Sequence, residues 1–268
     1  VKRVLPDLER AAAAIAASGS TLGRPLHLLA ETTSTNDEAK RGAKTGAPHG
    51  STWVAESQLA GRGRQGRAWE SLPGENLLVS VLLRLKCAPS RLPPLALVVG
   101  LAARDVIAAA APDADVRIKW PNDVVVMGAK GFRKIAGVLV ESTMAGREVD
   151  ALVVGIGMNV HARSFPRELA DRATSVSLVS SVPPDRAAIL ADTLHNLDRD
   201  VGLTAARGLG VVHARLTAAD ALRGVRVRSE QGEGIAEGID LDGRLLVRKP
   251  KGDLARWGAG EVHLAEEC

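Results

Sequence analysis

The chain has 268 residues, 46% of them hydrophobic, and its 35 Lys and Arg nearly balance 31 Asp and Glu, giving a net charge of +4. That length buries a full core, and so small a basic excess does not by itself call for nucleic acid; it equally suits anionic metabolites or an acidic protein partner. With 2% aromatic residues and no Tyr, the stacking platforms of single-strand binders are lacking.

Pro6 opens an amphipathic helix through residues 11–17, interrupted by acidic residues in a way that a secretory leader is not. A short apolar run at 26–30 reads as a strand, followed by the helix N-cap signature Ser34-Thr35-Asn36-Asp37. Residues 51–57 and 77–85 read as two further strands. Pro93 and Pro94 open a helix to about Ala111, ended by Pro112; the apolar stretch 95–111 holds Arg104 and Asp105 and is too short and charged to span a bilayer. Strands are predicted at 116–119, 124–127, 135–141 and 151–155, and helices at 186–197 and 203–222. Many strands with few crossover helices predict an α/β chain built on a mixed sheet. From 224 onward only short strand-like runs remain (225–228, 234–239, 245–247, 262–264), divided by turns such as Asp242-Gly243, as in a small β-barrel. A domain boundary near Arg223 therefore separates residues 1–222 from 223–268.

Cys87 and Cys268 are the only cysteines. Neither stands in a CxxC or Cys/His cluster, which argues against a disulfide framework and a structural zinc and for a reducing, cytoplasmic setting.

Between the strands at 51–57 and 77–85 runs Gln58-Leu59-Ala60-Gly61-Arg62-Gly63-Arg64-Gln65-Gly66-Arg67-Ala68-Trp69. Glycines let the backbone approach a ligand, and arginines bring planar, permanent donors that match carboxylate and phosphate. Lys119-Trp120-Pro121-Asn122-Asp123 closes an apolar strand, with Pro121 fixing a turn that presents Lys, Asn and Asp together. Lys134 begins the strand that ends at Glu141. Gly155-Ile156-Gly157-Met158-Asn159-Val160 reads as a Gly-x-Gly turn leaving a strand; it is not a GxGxxG fingerprint, because Val stands at 160 and no suitable helix follows. Each piece alone is ordinary turn or surface chemistry.

Together and in this order the five segments closely resemble the biotin protein ligases, over roughly residues 31–177. The resemblance implies a mixed-sheet catalytic domain akin to class II aminoacyl-tRNA synthetases and a small C-terminal SH3-like β-barrel. It implies a monofunctional ligase that uses ATP and Mg²⁺ to convert biotin to biotinyl-5′-AMP and then acylates a lysine of a biotin carboxyl carrier protein domain of acetyl-CoA carboxylase or a related carboxylase. It places Ser34, Thr35, Asn36, Gln58, Arg62, Gly63, Arg64 and Lys134 around biotin. Arg67, Trp69, Lys119, Asn122, Gly157 and Asn159 fall around the adenylate. Lys134 and Arg64 become the catalytic cations, and Asp123 orients Lys134 or helps to hold Mg²⁺. Lys130 and Arg133 lie beside Lys134, and alignment with the apolar strand favours Lys134. With only about thirty residues before Glu31, no helix-turn-helix domain and no DNA-binding role are expected; nor is a membrane, and the oligomeric state is monomer or homodimer. A lipoate or octanoate transferase of the same fold is the nearest alternative, but Cys87 and Cys268 lie outside the motifs, where they supply no nucleophile. A non-enzymatic nucleic-acid-binding protein accounts for the basic loop and not for the other segments.

Overall fold

The computed structural model describes residues 6–85, 92–129, 131–145 and 148–265. Cys87, Lys130 and Cys268, named above, lie outside them. Two short helices, α1 (Pro6–Glu9) and α2 (Ala11–Ser18), lead to β1 (Leu26–Leu29), α3 (Thr35–Lys44), β2 (Thr52–Ala55) and β3 (Asn76–Leu83). After α4 (Leu92–Ala110) come four consecutive strands, β4 (Val116–Lys119), β5 (Asp123–Gly128), β6 (Gly131–Ala145) and β7 (Glu148–Asn159). Three helices follow, α5 (Val176–Val179), α6 (Arg186–Arg207) and α7 (His213–Ala218), then β8 (Arg226–Ser229), β9 (Gly232–Ile239), β10 (Leu245–Arg248), β11 (Leu254–Trp257) and β12 (His263–Leu264).

The first seven strands form one sheet in the order β1-β2-β3-β7-β6-β5-β4. Only β1 and β2 pair in parallel, and the remaining neighbours are antiparallel, so the sheet is mixed as the scarcity of crossover helices predicts. The main apolar core joins α4 and α6 to Leu77, Val79, Val81, Ile135, Val154 and Ile156 of the central strands. A second, smaller core lies where Ala39 and Ala43 of α3 meet Trp53, Leu82, Ala151 and Val153. Side chains alternate across a strand, so α3 covers the face opposite α4 and α6. The ligand-facing segments share that face.

The expected pair of helices at 186–197 and 203–222 is instead one 22-residue helix, a 3₁₀ turn at Leu209–Val211 and the short α7. Buried Leu190, Leu194, Leu197 and Val201 form a continuous helical stripe that outweighs the cost of about 1 kcal/mol for Gly202. The break comes at Gly208, whose φ of 81° ends α6. The edge strand β11 escapes a pattern search because only Trp257 in it is buried.

The last five strands make an antiparallel sheet in the order β11-β10-β9-β8-β12. Trp120, fully buried between β4 and β5, donates its indole N–H to the Gly243 carbonyl at 2.9 Å. The His213 ring lies 2.7 Å from the Ile239 carbonyl. The first contact fixes the small sheet against the turn that carries Asn122 and Asp123, and the second ties it to α7.

Arg186, at the start of α6, is fully buried, with Asp7 accepting at 2.7 and 2.8 Å, Glu56 at 2.8 and 3.1 Å and the Asn76 carbonyl at 3.1 Å. Burial alone lowers an arginine's proton affinity, but the hydrogen bonds that Arg186 donates to both carboxylates outweigh it, and its pKa lies above the ordinary arginine value. The same bonds hold the Asp7 carboxyl below the usual range.

Candidate active site

The arginine-glycine loop folds back on itself. The Gly63 N–H donates to the Arg67 carbonyl at 2.8 Å and the Trp69 N–H to the Gly61 carbonyl at 2.9 Å. A 3₁₀ turn over Arg64–Gly66 forms its tip, with Gln65 at φ 56° in the left-handed region. Arg62 returns to α3 and makes a two-pronged ion pair with Asp37, which lowers the Asp37 pKa and raises its own. Arg67 pairs with Glu261 of the C-terminal segment. Arg64, half-buried, donates to Asn122 Oδ1 at 3.2 Å, and burial draws its guanidinium below the ordinary arginine value.

Gly155 and Gly157 do not form a turn. The strand β7 runs straight through them to Asn159, and register sets Gly157 opposite Gly137 of β6 and Leu78 of β3, with Gly155 opposite Leu139 and Ser80. What the sequence reads as a turn is a bare floor. A Cβ on Gly157 would lie 2.6 Å from the Trp69 ring, one on Gly137 would lie 3.1 Å from the same ring, and one on Gly155 would strike the Asn36 amide. Trp69 thus lies on two paired glycines, where any larger residue would displace it.

Along this floor runs a chain of polar side chains. Gln58 Oε1 accepts from the Thr35 N–H at 2.7 Å and stands 3.0 Å from the Thr35 hydroxyl. Ser80 bridges Thr35 and Asn36 at 2.8 and 2.6 Å, and Asn36 Nδ2 donates to Glu141 at 2.7 Å. Ser34 supplies the N-cap of α3 by its extended backbone, without a side-chain capping bond. Ser34, Thr35, Asn36 and Gln58, with Arg62, Gly63 and Arg64 above them, line an inner cleft with an empty volume of about 480 Å³ including its mouth.

A larger, open cleft adjoins it, lined by Arg67, Lys119, Asp123, Phe132, Asn159 and residues 260–264, among others. The two clefts share Gly63, Arg64, Trp69, Asn122 and Lys134. Lys134 Nζ lies 2.7 Å from Asp123 and 5.3 Å from the Trp69 ring centroid, so it is held from two sides at the junction. Arg133 is exposed and lines neither cleft. Asn122 Nδ2 donates to the Val138 carbonyl at 2.7 Å, and Asn159 Nδ2 to that of Thr174 at 3.0 Å. Both are thereby oriented. Ser80 carries no signal in the sequence, since it sits among residues that read as strand, and Phe132 falls between the strands expected at 124–127 and 135–141 but lies in β6; Glu261, distant in the chain, is equally silent.

Lys119 projects over the Phe132 ring, 5.4 Å from its centroid. Burial lowers its pKa below the 10.5 of a free lysine, with Asp123 offsetting part of the effect. Between the lowered value and 10.5 the unfolded chain holds a proton that the folded chain has released, so stability rises with pH across that window. The chain has no Tyr, which keeps this alkaline limb free of phenol ionisation. Denaturation midpoints measured from neutral pH to pH 10.5 are expected to show the rise in the parent protein and a flatter profile in Lys119→Met; identical slopes would refute the assignment.

Among the described residues no helix is long and apolar enough to cross a membrane, and no group of three or more His, Cys, Asp or Glu is placed to hold a metal ion. An inner cleft with polar side chains at one end, a cation-lined outer cleft and fixed cations where they meet make, in this α/β domain, a site suited to anionic groups.

Comparison with known proteins narrows that class. Residues 28–159 match the biotin/lipoate A/B protein ligase family and residues 223–264 the biotin protein ligase C-terminal domain. The biotin–[acetyl-CoA-carboxylase] ligase of Paracoccus denitrificans is 34% identical over 237 residues, covering 84% of this chain and 95% of that one. The bifunctional ligase/repressor BirA of Salmonella typhimurium is 32% identical, and the match covers 80% of this chain and 67% of that longer protein. The biotin protein ligase from Aquifex aeolicus, solved in complex with biotin and ATP, superposes with a TM-score of 0.76 at 28% identity, covering 90% of this chain and all of that one. The chain belongs to the biotin protein ligase family.

Proposed function

We propose that this protein is an ATP-dependent biotin–[acetyl-CoA-carboxylase] ligase in which the inner cleft takes biotin, the outer cleft takes ATP and the shared junction joins them. The observation that carries the reading is the meeting of the two clefts at Arg64, Asn122 and Lys134. Activation sets a carboxylate against the α-phosphate, and like charges about 4 Å apart repel by about 4 kcal/mol at an effective dielectric of 20. Oriented cations at that point offset the repulsion and stabilise charge on the equatorial phosphate oxygens.

In the first step a biotin carboxylate oxygen bonds to the α-phosphorus as the bond to pyrophosphate breaks, giving biotinyl-5′-AMP. In the second a carrier lysine amine attacks the mixed anhydride carbonyl, AMP departs, and the amine loses a proton. Thr35, Asn36 and Gln58, with Ser34, Arg62 and Gly63, hold the ring end. Lys134 serves both the carboxylate and the phosphate, with Arg64 beside it. Lys119, Arg67, Trp69 and Asn159 surround the nucleotide, whereas Gly157, expected beside them, lines the inner cleft beneath Trp69. Mg²⁺ enters with ATP as part of the substrate, held chiefly by phosphate oxygens; Asp123 lines the outer cleft but already pairs with Lys134, so it contributes at most one carboxylate.

The division at residues 222 and 223, a barrel-like closure of the last five strands and a cytoplasmic location belong to the same proposal, as does a carrier domain of a biotin-dependent carboxylase as the acceptor. Incubated with biotin, MgATP and the unmodified carrier domain of acetyl-CoA carboxylase, the protein should add one biotinyl group to the carrier, seen as a mass increase that disappears when the acceptor lysine is changed to Arg. No modification in the presence of accumulated adenylate would contradict the second step.

A further inference from the structure

We propose that Glu141 is a positioning residue that sets the donor and acceptor pattern presented to the biotin ring, acting through Asn36; the proposal rests on the assignment of the inner cleft to that ring. Glu141 lies on the same face of β6 as Gly137 and Leu139, and it is absent from the lining of either cleft. Its carboxylate takes the Asn36 amide nitrogen at 2.7 Å on one oxygen and Lys40 Nζ at 2.5 Å on the other. A carboxylate only accepts, and at 2.7 Å it is the shorter partner of the Asn36 nitrogen, the Leu139 carbonyl lying 3.5 Å away, so the Asn36 NH₂ group faces it and the amide oxygen faces Ser80.

The consequence travels along the chain. The single Ser80 proton goes to Asn36 Oδ1, 2.6 Å away, which leaves the Ser80 lone pairs towards Thr35. The Thr35 proton is then taken by Ser80 or by Gln58 Oε1, so the Thr35 hydroxyl offers a lone pair to the cleft. Gln58 Oε1 is occupied by the Thr35 N–H, and Gln58 offers its NH₂. An acceptor at Thr35 beside a donor at Gln58 matches a urea, whose N–H groups donate and whose carbonyl accepts. Lys40 also approaches Asp37 at 3.8 Å, and Asp37 holds Arg62, so the same charges tie the relay to the loop above it.

Glutamine at 141 presents both an N–H and a C=O, which lets Asn36 turn and the pattern reverse. Glu141→Gln is expected to raise the biotin KM in pyrophosphate exchange, and the calorimetric biotin Kd, by about tenfold, equivalent to about 1.4 kcal/mol, while kcat at saturating biotin stays within about twofold. It should also narrow the preference for biotin over 2-iminobiotin, in which a donor nitrogen replaces the urea oxygen, by about tenfold. Glu141→Asp, which keeps an acceptor-only group, is expected to retain that preference. In an Asn36→Ala background Glu141→Gln should change KM by less than about twofold, because the two act as one unit.

A lowered melting temperature with unchanged KM and unchanged preference would make Glu141 a structural ion-pair partner only and overturn the proposal. So would full additivity with Asn36→Ala. If the parent protein binds no biotin, the assignment of the cleft itself fails, and the proposal with it.

Discussion

Lys134→Ala is expected to lower biotin-dependent ATP-pyrophosphate exchange by about 10²–10³-fold, the range for removing one preorganised charge from a transition state. Lys134 lines both clefts, and its ammonium is aimed by Asp123 at 2.7 Å and by the face of Trp69. The cation is therefore in place before substrate arrives and has no reorganisation to undergo. A third of the side chain remains exposed (36%), so its loss leaves no cavity and the fold should persist. Lys134→Arg should recover little of the rate, because a planar guanidinium cannot occupy the small space beside Gly137, where Nζ already lies 2.9 Å from where a Cβ would stand. Asp123→Asn should cost less, since it removes orientation and leaves the charge. Exchange by Lys134→Ala within fivefold of the parent would contradict this role.

The largest effect on stability is expected at Arg186. Arg186→Met removes a fully buried guanidinium from Glu56, itself buried, and from Asp7; taking one partner from such a group costs about 3–5 kcal/mol because a carboxylate loses its compensating charge. Converting Glu56 to Gln in the same variant should recover part of the loss, since a neutral amide costs far less to bury. The sign with pH follows from Asp7. Its folded pKa lies below the 3.8 of a free aspartate, so its contribution is complete above 3.8 and is lost as pH falls through the folded value. Urea titrations at neutral pH test the magnitude, and a loss under 1 kcal/mol would show that the cluster adds little. Arg186 touches neither cleft, so turnover per folded molecule should not change.

The loop and the Lys119–Asp123 turn were legible only together with the other segments and in their order, because charged and turn-forming residues are ordinary on any solvated surface. Lys134 could be separated from Arg133 only by its alignment with the apolar strand that follows it. Gly155 and Gly157 were legible as important but not as what they are: a glycine that turns a chain and one that vacates space for Trp69 or Asn36 look alike until strand register is known. The Ser80 and Glu141 relay was hidden for a related reason. Its members lie on three elements, β3, β6 and α3, and sequence spacing carries no information on pairing between strands so far apart in the chain. Arg186 and Glu56 show the limit from the stability side, since a buried charge reads as an exposed one until its partner is located.

The arrangement of the two clefts makes one requirement above all, that the acid activated at their junction be biotin. Pyrophosphate exchange into ATP, measured with biotin, lipoate and octanoate offered separately, tests it directly. Exchange that depends on biotin and is absent with the other two acids is the expected result; exchange supported by lipoate or octanoate and not by biotin would contradict the account.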